Sequence, residues 1–183
     1  MTIIETDLKD VFLLKPRIFE DDRGYFFESF SIRVLEEAGL DYQFVQDNES
    51  KSSYGVIRGL HYQLAPFAQA KLVRVIAGKI LDVVVDLRQN SETYGKWQAF
   101  ELNAQSKYQL LIPRGFAHGF SVLSEQAIFQ YKCDNYYRPD AERGIAFNDP
   151  MLNIDWQVDP DKAIVSAKDK VLPSFAEADK NFF

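Results

Sequence analysis

Through most of the chain, apolar and polar positions alternate in short runs rich in β-branched and aromatic residues, and Gly, Pro, Asn or Asp close these runs. That spacing predicts strands joined by turns. Val11 to Lys15 forms the first candidate, closed by Pro16. Asp21-Asp22-Arg23-Gly24 is turn chemistry, and Tyr25 to Phe30 is aromatic strand material. Ser31 is placed to cap a short helix, Ile32 to Ala38, which Gly39 ends. Phe44 to Ser50 leads into Gly55–Gln63. KLVRVIA (Lys71–Ala77) and KILDVVVDLR (Lys79–Arg88) flank Gly78 and read as a hairpin. Further strands are expected at Trp97–Leu102, Lys107–Ile112, Gln126–Asp134 and Gly144–Asn148, with His118 on the strand after the Pro113–Gly115 turn. The tail from Phe175 reads as helical or frayed. Roughly ten short strands, with no βαβ alternation and no long repeat, predict an all-β double-sheet jelly roll. One domain over residues 1–183 is expected.

The stretch GVIRGLHYQ, Gly55 to Gln63, breaks the pattern. Arg58 and His61 interrupt an apolar strand, where charge is costly unless it is paired or faces a wet cavity. Alternation would put positions 58 and 61 on opposite faces. Gly59 between them offers a bulge that brings both to one side. The stretch then forms the floor of a polar site. The other reading is a core histidine bonded to a backbone carbonyl, with an arginine at the strand end.

The net charge of −6 argues against nucleic acid or an acidic membrane as the main partner. An anionic ligand needs a local basic cluster. One cysteine, Cys133, leaves no internal disulfide framework. The acidic N-terminus lacks a signal pattern and no apolar run approaches membrane-spanning length, so a cytoplasmic protein is expected.

Two histidines, His61 and His118, with no HxH pair, make a metal site unexpected, although two histidines and one carboxylate can hold a metal. There is no nucleophile elbow, P-loop or dinucleotide fingerprint. Cys133 lies among apolar strand residues and reads as packing. What remains is proton chemistry: His61 and His118 as bases, Tyr131 as an acid, and lysines and arginines for an anion. Lys71 opens an apolar strand face and either snorkels out or aims at an anion. Such a set suits proton abstraction next to a carbonyl.

Five ordered blocks carry a more specific signal: PRIFEDDRGYFFESF, QDNESKSSYGVIRGLHYQ, KLVRVIAGKILDVVVDLR, IPRGFAHGFSVLSE and YKCDNYYRPDAERGIAFNDP. Across nearly the whole chain the sequence resembles the dTDP-4-dehydrorhamnose 3,5-epimerases, which are metal-free cupins. The resemblance implies a cupin-type double-stranded β-helix with short flanking helices, and no cofactor or metal. It implies His61 as the base that removes the protons at C3 and C5, next to the C4 keto group. Asp169, in SAKD, would orient it. Tyr131 would be the acid on the opposite sugar face, and Lys71 the cation near the C4 oxygen. His118 would be a supporting residue and Arg58 a pyrophosphate contact. Arg23, Phe26, Glu28, Gln46, Asn48 and Tyr137 resemble the nucleotide-sugar pocket, with Tyr137 stacked on thymine. A homodimer is implied, in which the Arg23–Glu28 segment serves the partner subunit's site. A single-site epimerase, a non-catalytic sugar-nucleotide binding module and a metal-dependent cupin are the competing expectations.

Overall fold

The computed structural model describes residues 1–183. Fourteen strands form in chain order: β1 (Thr2–Glu5), β2 (Phe12–Lys15), β3 (Ile18–Asp21), β4 (Gly24–Phe27), β5 (Gln46–Ser53), β6 (Val56–Gln63), β7 (Lys71–Ala77), β8 (Lys79–Asp86), β9 (Trp97–Asn103), β10 (Gln109–Ile112), β11 (Phe116–Val122), β12 (Gln126–Cys133), β13 (Glu142–Gly144) and β14 (Ile164–Val165). The one α-helix, α1, is Ile32–Glu37. It begins after Ser31 as expected, but the Ser31 hydroxyl makes no capping bond. No helix is long and apolar enough to cross a membrane.

The strands form two six-member sheets. The first runs β1-β2-β10-β7-β12-β5, and the second runs β13-β6-β11-β8-β9, with β14 parallel to β6 at its edge. Strands β3 and β4 pair only with each other, as a separate hairpin. This is the jelly-roll architecture that the alternation predicts. The second half of the Tyr25–Phe30 expectation is coil beyond Phe27, and the expected strand at Gly144–Asn148 lies earlier, at Glu142–Gly144. The tail from Phe175 is not helical. Phe175, Ala178 and Phe182 are buried and close the outer face of the second sheet with Trp156.

The expected hairpin around Gly78 is also corrected. β7 and β8 belong to different sheets and share no ladder. Gly78 is a corner at which the chain leaves one sheet for the other. It adopts φ +79°, and a Cβ there would sit 2.0 Å from the Gln126 carbonyl oxygen. Only glycine fits such a corner. Sequence-adjacent strands therefore become facing walls.

Between the sheets lies a core that includes Val73, Val75, Leu110 and Phe129 from the first sheet and Ile80, Val84, Phe116 and Phe120 from the second. The outer face of the first sheet is covered by a smaller cluster, Leu14, Leu35, Leu72 and Leu111, to which α1 contributes Leu35. One end of the sandwich stays open, because polar residues replace the apolar ones there.

The expected bulge is present in β6. His61 faces His118 and Arg58 faces Phe120, so three steps along β6 match two along β11. Gly59 has φ +125°, and a Cβ on it would lie 2.6 Å from the Gly119 Cα. The two backbones touch because both positions are glycine. A Cβ on Gly119 would meet the Arg58 carbonyl oxygen at 2.7 Å and the Trp156 ring at 3.2 Å. Gly119→Ala is expected to destabilise the protein by about 1–3 kcal/mol through overpacking. Chemical denaturation checks this, and an unchanged midpoint would contradict the close approach.

Candidate active site

The bulge turns Arg58 and His61 toward one cavity of about 470 Å³ at the open end of the sandwich. Its lining includes His61 and Arg58 from β6, His118 from β11, Lys71 from β7, Tyr131 from β12, and Asp169 from the tail. All four proposed catalytic side chains thus meet in one place. His61 and His118 come from the second sheet, and Lys71 and Tyr131 from the first. The cavity has two chemically different walls.

β14 brings the tail back along β6, and Asp169 opens a single 3-10 turn just after it. Asp169 is only 4 % exposed. Its Oδ1 lies 2.7 Å from the His61 Nε2, and its Oδ2 accepts from the Gly59 N–H at 3.3 Å. Burial alone would raise the carboxyl, but the hydrogen bond and charge of His61, with the Gly59 amide, hold it below its ordinary value. An ionised carboxylate only accepts, so His61 donates from Nε2 and leaves Nδ1 as its free lone pair.

His118 carries a second carboxylate partner. Its Nε2 lies 2.9 Å from Asp82 Oδ2, and Asp82 is fully buried in β8. Asp82 Oδ1 is buried with no partner. Burial pushes the His118 ring down, against the charge and hydrogen bond of Asp82. His61 and His118 stand directly opposite each other across the β6–β11 ladder, each bonded to its own aspartate.

Burial lowers the Lys71 ammonium from its ordinary value. Its Nζ lies 5.8 Å from the centre of the Tyr131 ring. The Tyr131 hydroxyl is pushed up, chiefly by burial, and stays protonated at neutral pH. Phe129 stacks on the His118 ring at 6.0 Å and lies tilted to the Tyr131 ring at 5.6 Å. Arg58 is exposed at the mouth and its Nε donates to Ser52 Oγ at 3.1 Å.

Gln46 and Asn48 are half-buried on β5, hydrogen-bonded to each other at 3.1 Å. Gln46 also accepts from the Tyr137 N–H at 3.2 Å. Tyr137 is exposed and its hydroxyl donates to Glu142 at 2.8 Å. These three lie beside the cavity lining rather than in it. Arg23, Phe26 and Glu28 are a different matter. Arg23 and Phe26 line a separate surface hollow on the β3–β4 hairpin, Glu28 is exposed just beyond it, and none of the three reaches this chain's own cavity.

Three polar residues escape a sequence reading. Glu142 holds both the Tyr137 hydroxyl and the Lys168 ammonium, and Lys168 lines the cavity next to Asp169. Burial would raise the Glu142 carboxyl, but those two partners hold it down. Asp82 was the one with a signal: an aspartate inside KILDVVVD is a carboxylate in a core strand. No group of three or more His, Cys, Asp or Glu side chains comes together as a metal site.

The fold and the cavity define a class: a cupin-type jelly roll that holds acid–base side chains on two facing walls. The family model for dTDP-4-dehydrorhamnose 3,5-epimerase matches residues 5–177, and the chain belongs to that family. A dTDP-4-dehydrorhamnose 3,5-epimerase of Shigella flexneri is 51 % identical over 180 residues, covering 98 % of each chain. The crystal structure of a dTDP-4-dehydrorhamnose 3,5-epimerase from Elizabethkingia anophelis superposes with a TM-score of 0.93 at 52 % identity, covering 97 % of each chain. The Legionella pneumophila enzyme RmlC, solved in complex with dTDP-4-keto-L-rhamnose, gives a TM-score of 0.93 at 45 % identity, covering 97 % of this chain and 94 % of that one.

The Asp169 interaction has a testable pH dependence. Its folded-state value lies below the ordinary 3.8, so the carboxylate contributes its full stabilisation above pH 3.8 and loses it as pH falls through the lower folded value. Asp169→Asn is expected to lower the denaturation midpoint at pH 7. The gap to the unsubstituted protein should narrow below pH 3.8, and a gap that widened there would contradict the assignment.

Proposed function

We infer that the protein is an isomerase that inverts C3 and C5 of dTDP-4-dehydro-6-deoxy-D-glucose, giving dTDP-4-dehydro-L-rhamnose on the route to dTDP-L-rhamnose. Family membership over almost the whole chain supports this, as does the sugar-nucleotide bound to the Legionella relative. The observation that carries the mechanism is the His61–Asp169 dyad on one sheet with Tyr131 on the other.

The C4 keto group acidifies the hydrogens on C3 and C5. His61 Nδ1 takes one of these protons, and Asp169 stabilises the imidazolium through Nε2. Electron density moves onto the C4 oxygen as an enolate. Lys71, a cation in a desolvated wall, stabilises that charge, and His118 supports it from the neighbouring strand. Tyr131 returns a proton to the carbon from the opposite face, so the centre inverts. Its phenolate then regains a proton from solvent while His61 releases its own. Repetition at the second carbon completes the reaction. One base alone would tend to return the proton to the face it left.

Arg58 and Lys168 at the mouth suit a pyrophosphate, and Tyr137 suits the thymine ring. Gln46, Asn48 and Glu142 hold polar contacts around it. Arg23, Phe26 and Glu28 enter this reading through a homodimer. The β3–β4 hairpin pairs only with itself and exposes Phe19, Tyr25 and Phe26, which supports its reaching into the partner subunit's site.

Proton NMR with dTDP-4-dehydro-6-deoxy-D-glucose in deuterium oxide tests the reaction. Loss of both the C3 and C5 proton signals is expected, and loss of only one would leave a single-site epimerase. His61→Asn should abolish exchange at both carbons. Tyr131→Phe should retain some abstraction but impair inversion. Each change is expected to cost about 10²–10⁴-fold in its own step. Equal loss of exchange in the two variants would sink the two-face mechanism.

A further inference from the structure

Tyr137 sits on an exposed loop, where a stacking ring gives little affinity unless the loop is ordered beforehand. The ordering comes from a residue that does not line the cavity. Gln63 ends β6 and is 5 % exposed. Its Nε2 donates to the Phe67 carbonyl at 2.6 Å and to the Tyr136 carbonyl at 3.3 Å, and its Oε1 accepts from the Arg138 N–H at 2.6 Å. One buried amide thus holds the peptide groups on both sides of Tyr137. The ring's other restraints, from Gln46 on its N–H and Glu142 on its hydroxyl, come from partly exposed side chains. Glu142 is itself the ladder partner of Gln63.

We propose that Gln63 is a positioning residue for the nucleotide, fixing Tyr137 for base stacking without touching the ligand. This rests on the reading of Tyr137 as the thymine-stacking residue. Gln63 lies two residues beyond His61 on β6, about 7 Å of strand. The same rigid strand therefore carries the base that works on the sugar and the clamp that holds the far end of the ligand. The clamp acts on binding and leaves the proton-transfer groups in place.

Calorimetric titration with dTDP, and the rate of C3 and C5 exchange at saturating sugar-nucleotide, test this on the full-length protein. Tyr137→Ala and Gln63→Leu are each expected to weaken dTDP binding on the order of tenfold, as loss of one base-stacking contact does. In Gln63→Leu, whose side chain does not line the cavity, exchange at saturation should stay within about threefold, since only ground-state binding is lost. The double variant should bind dTDP no more than about twofold worse than Tyr137→Ala, because both changes remove the same contact. If Gln63→Leu fails to fold, Gln63→Glu keeps the acceptor for Arg138 and loses the donor, and the same weakening is expected. Weakening by Tyr137→Ala with unchanged binding in the Gln63 variant overturns the inference alone, as does an additive double variant. Unchanged binding in Tyr137→Ala overturns the stacking reading, and the inference with it.

Discussion

A buried carboxylate is tolerable only when its charge is taken up, and the site depends on how Asp169 meets that condition. One oxygen faces the His61 ring and the other takes the Gly59 amide. The requirement acts in three directions. It pins the tail against β6, it selects the tautomer of His61, and it holds the bulge that turns His61 inward. The His61 ring and the backbone distortion that aims it are stabilised by the same group.

The bulge needs a second condition. Gly59 and Gly119 must approach with no side chain between them, and Trp156 packs against the far side. Chain packing and chemistry are thereby coupled at one crossing of two strands. Asp82 repeats the arrangement one strand further in, under His118, inside an otherwise apolar run. Asp82 within the second sheet and Asp169 beside it are each buried with an imidazole to bond.

Much of this was legible in the residues. The strand pattern gave the jelly roll, and the apolar strand broken by Arg58, Gly59 and His61 gave the bulge and the floor of the site. Asp169 was not legible from local pattern, since a polar tail sequence does not reveal that β14 will carry it back to β6. Its role came only through family resemblance. The hairpin expected at Gly78 failed for a related reason. Two β-branched runs about one glycine fit a hairpin and a corner between sheets equally well, and the long-range pairing of β7 with β10 and β12, and of β8 with β11 and β9, decides between them. Glu142 and Lys168 look like ordinary solvated charges until tertiary pairing puts them beside Tyr137.

That corner at Gly78 has a consequence for how the cavity is dimensioned. His61 and Tyr131 stand on separate sheets, so the gap between them is a spacing between layers. It is filled lower down by Phe120 and Phe129, whose ring centres lie 4.5 Å apart. These phenylalanines serve as the shims of a vice. A core substitution that left the fold stable could still open or narrow the jaws. At these two positions, a change of side-chain volume alters the width of the cavity as well as the packing of the core.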